Sequence, residues 1–411
     1  MNERRGDYVI YAALREGAVV PAAQLRLETD ARGRHLRSAI RYRTEWLDHS
    51  ECFALNPVHA PLQTEPLEWQ TRELPAVIDE VMPGGWERAV LARAWLMQGK
   101  IGDPQDLHSL LSASRASFRV GALEIQPADA PMPSLEAPLA VDALAQLAAD
   151  AAEVTGQHEL ELEALRRLQA GSSVGGARPK VVLRDANWTY IAKLTRLGDA
   201  FNHARLEHVC LELARYAGLC VPRNRIVQAG RIDALLVDRF DVSPQQGRYH
   251  LVSANALLKD ADSQADRLHP RYDDLVTLIQ RYSDRPREDL QQLFGQLLLN
   301  EAINNTDDHL RNFSFRRTPE SFGLAPAYDL VPSDVRGAYP NLAVAHYPNR
   351  PSPDSAKAYE IARLFQLPPR EASQVIERVQ EAFHKLPEIL DDVGVSEADR
   401  RLCARVMWHP S

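Results

Sequence analysis

EAINNTDDHLRNFSF, residues 301–315, is the stretch whose reading decides the rest of this chain. Ahead of it, Leu290, Leu293, Phe294, Leu297 and Leu298 recur at helical spacing and predict a buried helix. That helix runs into a polar loop, Asn304 to Asn312, and a strand-like run follows. Asp307 and Asn312 stand five residues apart within the loop. At that spacing a carboxylate can accept a hydroxyl proton while an amide oxygen reaches a metal ion across the same loop. Asp308 and His309 add further polar groups. Asp and Asn favour solvated turns in any setting, but a turn needs no base and amide five apart between a buried helix and a strand.

Working outward, each part that phosphoryl transfer asks of a protein finds a candidate. The reaction needs a loop over the phosphates, a lysine to orient them, a base for the acceptor hydroxyl and oxygen ligands for Mg²⁺. Downstream, GLAPAYDLVPS (323–333) reads as an apolar strand delivering Asp329, seventeen residues after Asn312, to the metal. Tyr328 and Leu330 would pack it from either side. Taken alone, an aspartate ahead of Pro332 is equally a turn or cap residue. Upstream, TYIAKLT (189–195) buries the stem of Lys193, whose ammonium then needs a cleft or a carboxylate. Glu207, fourteen residues on in the next helix, could be that partner; snorkelling to water is the plainer alternative. GSSVGGARPK (171–180) is a Gly-rich loop whose backbone N–H groups can point at anionic oxygens, although a hairpin or interdomain turn explains such a segment on its own. LLVDRFD (235–241) leaves its strand with backbone groups for adenine and Phe240 as an apolar wall. No one element decides the matter. Their order does.

The bulk numbers set the bounds. At 411 residues the chain is too long for one ordinary core, so two or three domains are expected. Hydrophobic residues at 45% and charged residues at 25% are those of an ordinary globular protein. A net charge of −8 argues against a surface built as a whole to grip nucleic acid, leaving room only for a local basic patch. Cys52, Cys210, Cys220 and Cys403 lack metal-ligand or CxxC spacing and suit free thiols in a reducing cytoplasm. No signal-peptide core and no run near ~18 apolar residues is visible, so a cytoplasmic chain with no membrane partner is expected.

Along the chain, 8–14, 19–27 and 36–43 read as strands of an opening β-unit. A Pro-Gly-Gly break at 83–85 precedes a helix with Val90, Leu91, Ala94 and Met97 near one face, and proline-rich 127–139 reads as a linker. Helical 141–169 leads to the Gly-rich loop, then strand, strand, helix 203–217, strand, strand. Gly218 and Pro222 stop that helix. From 287 onward helices dominate, broken by strand-like runs at 313–316 and 322–326. The tail, 371–411, reads as amphipathic helix with Val375, Val379, Phe383 and Leu386 on one stripe. The expected fold is α+β and bilobal, protein-kinase-like, with a small β-rich N-terminal subdomain and a mainly helical C-terminal lobe. The expected division is 1–132, 133–245 and 246–411.

These residues together resemble the HipA toxins, serine/threonine kinases of bacterial toxin–antitoxin modules. SSVGGARPK is similar to that family's phosphate loop, TYIAKL to its lysine strand, VDRFD to its hinge, NTDDHLRNFS to its catalytic loop and APAYDL to its metal-binding Tyr-Asp. AIRYRTEWLDHSECFALNPVHAPL and MPGGWERAVLARA resemble its N-terminal subdomain. The resemblance implies Asp307 as proton acceptor, Lys193 on the ATP phosphates, and Gly175, Gly176, Ala177, Arg178 and Lys180 as phosphate loop. It implies Asp238, Arg239 and Phe240 at adenine, His309, Asn312 and Asp329 around nucleotide and Mg²⁺, and Glu207 in support. It further implies autophosphorylation on Ser173, with Ser172 adjacent. Such a modification would put about two negative charges where ATP's phosphates must sit. The implied partners are a translation factor such as an aminoacyl-tRNA synthetase as substrate and a DNA-binding HipB-like antitoxin, with DNA reached only through it. Asp308 departs from the family's usual glycine at that position, and could bind metal, adjust the base or sit in solvent. A small-molecule kinase on the same scaffold, or a non-catalytic corepressor, would carry much of the same pattern.

Overall fold

The computed structural model describes residues 3–99, 102–113, 119–156, 161–171, 176, 178–196, 198–259, 270–335, 341–344 and 350–410. Strands β1 (Arg4–Ala13), β2 (Val19–Thr29) and β3 (His35–Tyr42) form a meander, in which β2 and β3 alternate buried and exposed residues while β1 is buried on both faces over 8–13. In β2 the side chains of Leu25, Leu27 and Thr29 are buried while Gln24 and Arg26 are exposed, and Leu25 pairs with Ile40 of β3. Helix α1 (Thr44–Leu47), β4 (Leu67–Trp69), helices α2 (Ala76–Asp79), α3 (Gly85–Met97) and α4 (Leu107–Ala113), and β5 (Leu123–Pro127) complete this unit. Its antiparallel sheet runs β4-β3-β2-β1-β5.

A turn at 128–130 and an irregular stretch over 131–138 lead to β6 (Leu139–Ala140), α5 (Leu144–Gly156) and α6 (Leu162–Gly171). The helical stretch expected over 141–169 is, among the described residues, a 3-10 turn and two helices. Strands β7 (Lys180–Arg184) and β8 (Thr189–Leu194), helix α7 (His203–Tyr216), and strands β9 (Asn224–Ala229) and β10 (Ile232–Asp238) follow, giving the sheet order β6-β7-β8-β10-β9. Asn202 caps α7 by accepting from the Arg205 N–H at 3.1 Å, and Gly218 (φ +74°) ends it in a left-handed turn that a β-carbon would disfavour.

The remaining elements are β11 (Leu251–Ser253), α8 (Ala254–Leu258), α9 (Tyr272–Tyr282), α10 (Pro286–Ala302), β12 (Ser314–Arg317), β13 (Phe322–Leu324), α11 (Ala356–Ala362), α12 (Pro369–His384), α13 (Leu386–Asp392) and α14 (Glu397–Val406). The continuous tail stripe is thus divided among α12, α13 and α14, and Met97 is exposed where Val90, Leu91 and Ala94 of α3 are buried.

Three hydrophobic cores result. One fills the opening sheet, a second is built on α10, α12 and α7, and a third lies between α5, α6 and one face of the β7–β10 sheet. Trp86, Val90 and Ala94 of α3 belong to the third core, so a helix of the first unit packs into the second. Helix α7 lies between β9–β10 and helices α12–α13, joining the sheet to the helical lobe. The expected α+β, bilobal arrangement is what the chain adopts.

Candidate active site

Period-2 alternation fixes where Lys193 points. Tyr190, Ala192 and Leu194 of β8 enter the core under α5 and α6, so Ile191 and Lys193 face the opposite way, toward α7. There the Lys193 ammonium donates to Glu207 Oε1 at 2.5 Å and, more closely still, to the Asp329 carboxylate. Burial works against the Lys193 charge, but the carboxylates of Asp329 and Glu207 outweigh it and hold the ammonium above its usual range. Burial likewise pushes the Asp329 carboxyl up, and Lys193 and Lys180 overcome that and hold it well below the usual carboxylate range. Lys180 pairs directly across the ladder with Lys193, which puts two ammoniums side by side on one face. Burial and then the neighbouring Lys193 depress the Lys180 ammonium, against the pull of Asp329 and Glu207.

Asp329 does not sit in a strand. β13 ends at Leu324, because Pro326 has no N–H to give a ladder, and the backbone of Asp329 turns into the left-handed region at φ +55°. Aspartate tolerates that conformation better than most residues, and strain of this kind gathers where a side chain must be aimed. Leu330 is buried beside it, and the Tyr328 hydroxyl joins Ser314 Oγ (2.6 Å) and the Arg311 carbonyl (2.8 Å).

The polar loop after α10 is held by its own side chains. Asn305 Nδ2 donates to Asn300 Oδ1 at 3.0 Å, and Asn305 Oδ1 accepts the Asp307 N–H at 3.1 Å. Asn312 donates its Nδ2 to the Asp307 carbonyl at 2.9 Å, tying together the two residues five apart and leaving the amide oxygen as its other end. Asp307 is exposed and accepts from Asn341 Nδ2 at 3.1 Å. His309 contributes to holding Asp329 low, and its Nδ1 is buried with no hydrogen-bond partner among the described residues.

Of the Gly-rich loop, Ser172, Ser173, Gly175 and Ala177 lie outside the described residues. Gly176 has φ +87°, and a β-carbon there would stand 2.7 Å from Lys180 Nζ. Arg178 pairs with Asp199 (2.9 Å) and with His203 (2.6 Å). At the end of β10, Asp238 pairs with Arg223 at 2.9 Å, and Phe240 stands 5.7 Å from the Tyr328 ring. Arg239 is buried against Asp241 (2.6 Å) and the Arg119 carbonyl (2.5 Å).

The family model of the HipA-like C-terminal domain matches residues 172–386, just over half of the chain. The chain belongs to this HipA-like family. Serine/threonine-protein kinase toxin HipA of Shewanella oneidensis is 24% identical over 250 residues, covering 54% of this chain and 57% of that protein. A Haemophilus influenzae protein named "Putative kinase" is 26% identical over 183 residues, 40% of this chain and 53% of its own. The chain therefore spans little more than half the length of these two relatives. A Sinorhizobium fredii relative is 27% identical over 356 residues, 75% of each chain. Among solved structures, Shewanella oneidensis HipA, in a complex with HipB and operator DNA, superposes with a TM-score of 0.63 over 96% of this chain and 94% of that one, at 18% identity. That likeness extends the HipA fold to nearly all of the chain.

Within this HipA-like frame the residues suit a magnesium nucleotide. Mg²⁺ asks for one or two protein oxygens beside the phosphates it carries, and Asp329 with Asn312 offers a carboxylate and an amide oxygen. Lys180 donates no hydrogen bond to any described residue, which leaves a cation free for an anionic group. Three features escaped the sequence. Asp308 is not solvated but buried, bonded to Arg350 (2.7 Å) and the Tyr272 hydroxyl (2.9 Å). Asn341 holds the Asp307 carboxylate, and Lys180 is the ladder partner of Lys193. Only the last left a trace, since apolar strands on either side of Asp185–Trp188 imply a hairpin.

Proposed function

We propose that the chain is an ATP- and Mg²⁺-dependent protein serine/threonine kinase, the toxin of a toxin–antitoxin module. The observation that carries this is the Lys193–Asp329–Glu207 cluster, which unites a strand, a helix and a loop distant in sequence. Bound ATP with Mg²⁺ supplies the phosphoryl group and neutralises its oxygens. Asn312 and Asp329 hold the metal; Lys193, Lys180 and the 175–180 loop, including Gly175, Gly176, Ala177 and Arg178, hold the phosphates. Asp238, Arg239 and Phe240 edge the adenine, and His309 backs Asp329. Asn341 engages one oxygen of Asp307, which leaves the other to accept the proton of a serine or threonine hydroxyl as it attacks. The exposure of Asp307 suits an acceptor carried on a protein. Ser173, or Ser172 beside it, is the site of autophosphorylation, which would occupy the phosphate site and switch the enzyme off.

The substrate is a translation factor such as an aminoacyl-tRNA synthetase, and the restraining partner is a HipB-like antitoxin through which DNA is met. The tie to HipB comes from the Shewanella complex that shares this fold. Phosphoproteomics after brief induction tests the reading, wild type against Asp307→Asn. A serine or threonine site on another protein that gains phosphate only with the wild type supports it. No such site, with turnover of amino alcohols or other small molecules by the purified protein, would replace it with a small-molecule kinase.

A further inference from the structure

Arg311 lies inside the catalytic loop, between His309 and Asn312, yet its partners come from the opening unit. Its Nη2 donates to Asp79 Oδ2 at 2.7 Å, and its Nη1 stands 3.6 Å from Glu80 Oε1. Glu80 also accepts from the Ser253 N–H (3.0 Å) and hydroxyl (2.6 Å) at the start of α8, which fixes the end of α2 against the helical lobe. The Arg311 carbonyl in turn accepts from Tyr328, the neighbour of Asp329. Seven residues beyond Asp79, past the Pro83-Gly84-Gly85 break, the Trp86 N–H donates to the carbonyl of Gly176 in the Gly-rich loop at 3.0 Å. Trp86 itself is anchored in the core beneath the β7–β10 sheet.

One short segment therefore touches the catalytic loop in one lobe and the phosphate loop in the other, and it lies wholly outside residues 172–386. The catalytic loop, braced by its own side chains, is thus also tied to the opening unit through Arg311. We infer that Asp79–Trp86 is a positioning strut of the phosphotransfer site, with Asp79 and Glu80 setting the catalytic loop through Arg311 while the Trp86 amide sets the phosphate loop. The opening unit is then part of the catalytic apparatus rather than an appendage to it. This rests on the kinase reading above.

Steady-state transfer from ATP, measured on the full chain, separates the possibilities. Side chains 23% and 49% exposed make the Asp79–Arg311 pair a minor contributor to stability, so Asp79→Ala should fold and melt close to wild type. Its kcat should fall about ten- to a hundredfold with KM for ATP nearly unchanged, Asp79→Glu should recover most of the loss, and Asp79→Ala should add nothing to Arg311→Ala. Full activity in Asp79→Ala, additive losses in the double variant, or a loss that merely follows a lowered Tm would each overturn the strut. Asp307→Asn, run alongside, keeps the two ideas apart. If that variant transfers phosphate like the wild type, the kinase reading fails; if it is dead while Asp79→Ala is fully active, only the strut does.

Discussion

Lys193 is held charged by two acids despite its burial, and the signs of the shifts say over what range. A raised lysine contributes stability that is complete below its unfolded value of about 10.4 and lost as pH climbs through the folded value. A depressed aspartate contributes stability present above about 3.9 and lost as pH falls through its folded value. The Lys193–Asp329 pair is therefore ionised throughout the neutral range. Lys193→Met should cut phosphoryl transfer by about 10²- to 10³-fold, and it should weaken nucleotide binding in calorimetry; unchanged binding would remove Lys193 from the phosphates. Asp308 is a different kind of residue. With side chains 1% and 2% exposed, Asp308 and Arg350 form a buried pair, and Asp308→Gly leaves the guanidinium to the half-buried Glu301 carboxylate at 3.3 Å. Urea melts should show a loss of about 3 kcal/mol, the low end of the cost of breaking such a pair by removing one partner, because Glu301 remains beside Arg350.

At the scale of elements, regular structure could be read from periodicity and its interruptions could not. The meander, α7 and the strands flanking it followed from alternation, from short apolar runs such as that of β1, and from 3.6-residue spacing. What defeated the pattern was backbone chemistry that periodicity does not encode. Pro326 stops β13 two residues short of the expected run, and Asp329 turns left-handed beyond it. Asp308 finds Arg350 forty-two residues downstream, a pairing fixed by tertiary packing and invisible in local sequence. The Gly-rich loop allows an element-scale prediction. Gly176 has φ +87° and faces Lys180, so Gly176→Ala strains the loop without touching a core. KM for ATP should rise several-fold while Tm stays within a few degrees of wild type; an unaltered KM would mean that this turn does not approach the phosphates.

Across the whole molecule, buried polar groups at the seam between the opening unit and the helical lobe make stability depend on pH. His250 stacks on Phe53 at 4.6 Å, its Nε2 lies 3.0 Å from the Leu55 carbonyl, and burial lowers its pKa to about 3. Neutral in the fold but able to protonate once unfolded, it takes stability away as pH falls below about 6.5. Urea midpoints should therefore drop between pH 7 and pH 5, and His250→Gln should flatten that dependence; an equal drop in the variant would place the titration elsewhere.

In the proposed enzyme Asp307, Asn312, Asp329 and Lys193 act together as one phosphotransfer site. Its most direct test is transfer of ³²P from γ-labelled ATP by purified protein, comparing wild type with Asp307→Asn and Asp329→Asn at matched folded fraction. Mg²⁺-dependent labelling is expected of the wild type and none of either variant, with Asp307→Asn still binding ATP. Labelling that persists in Asp307→Asn, or a wild type that neither binds ATP nor transfers its phosphate, would contradict it.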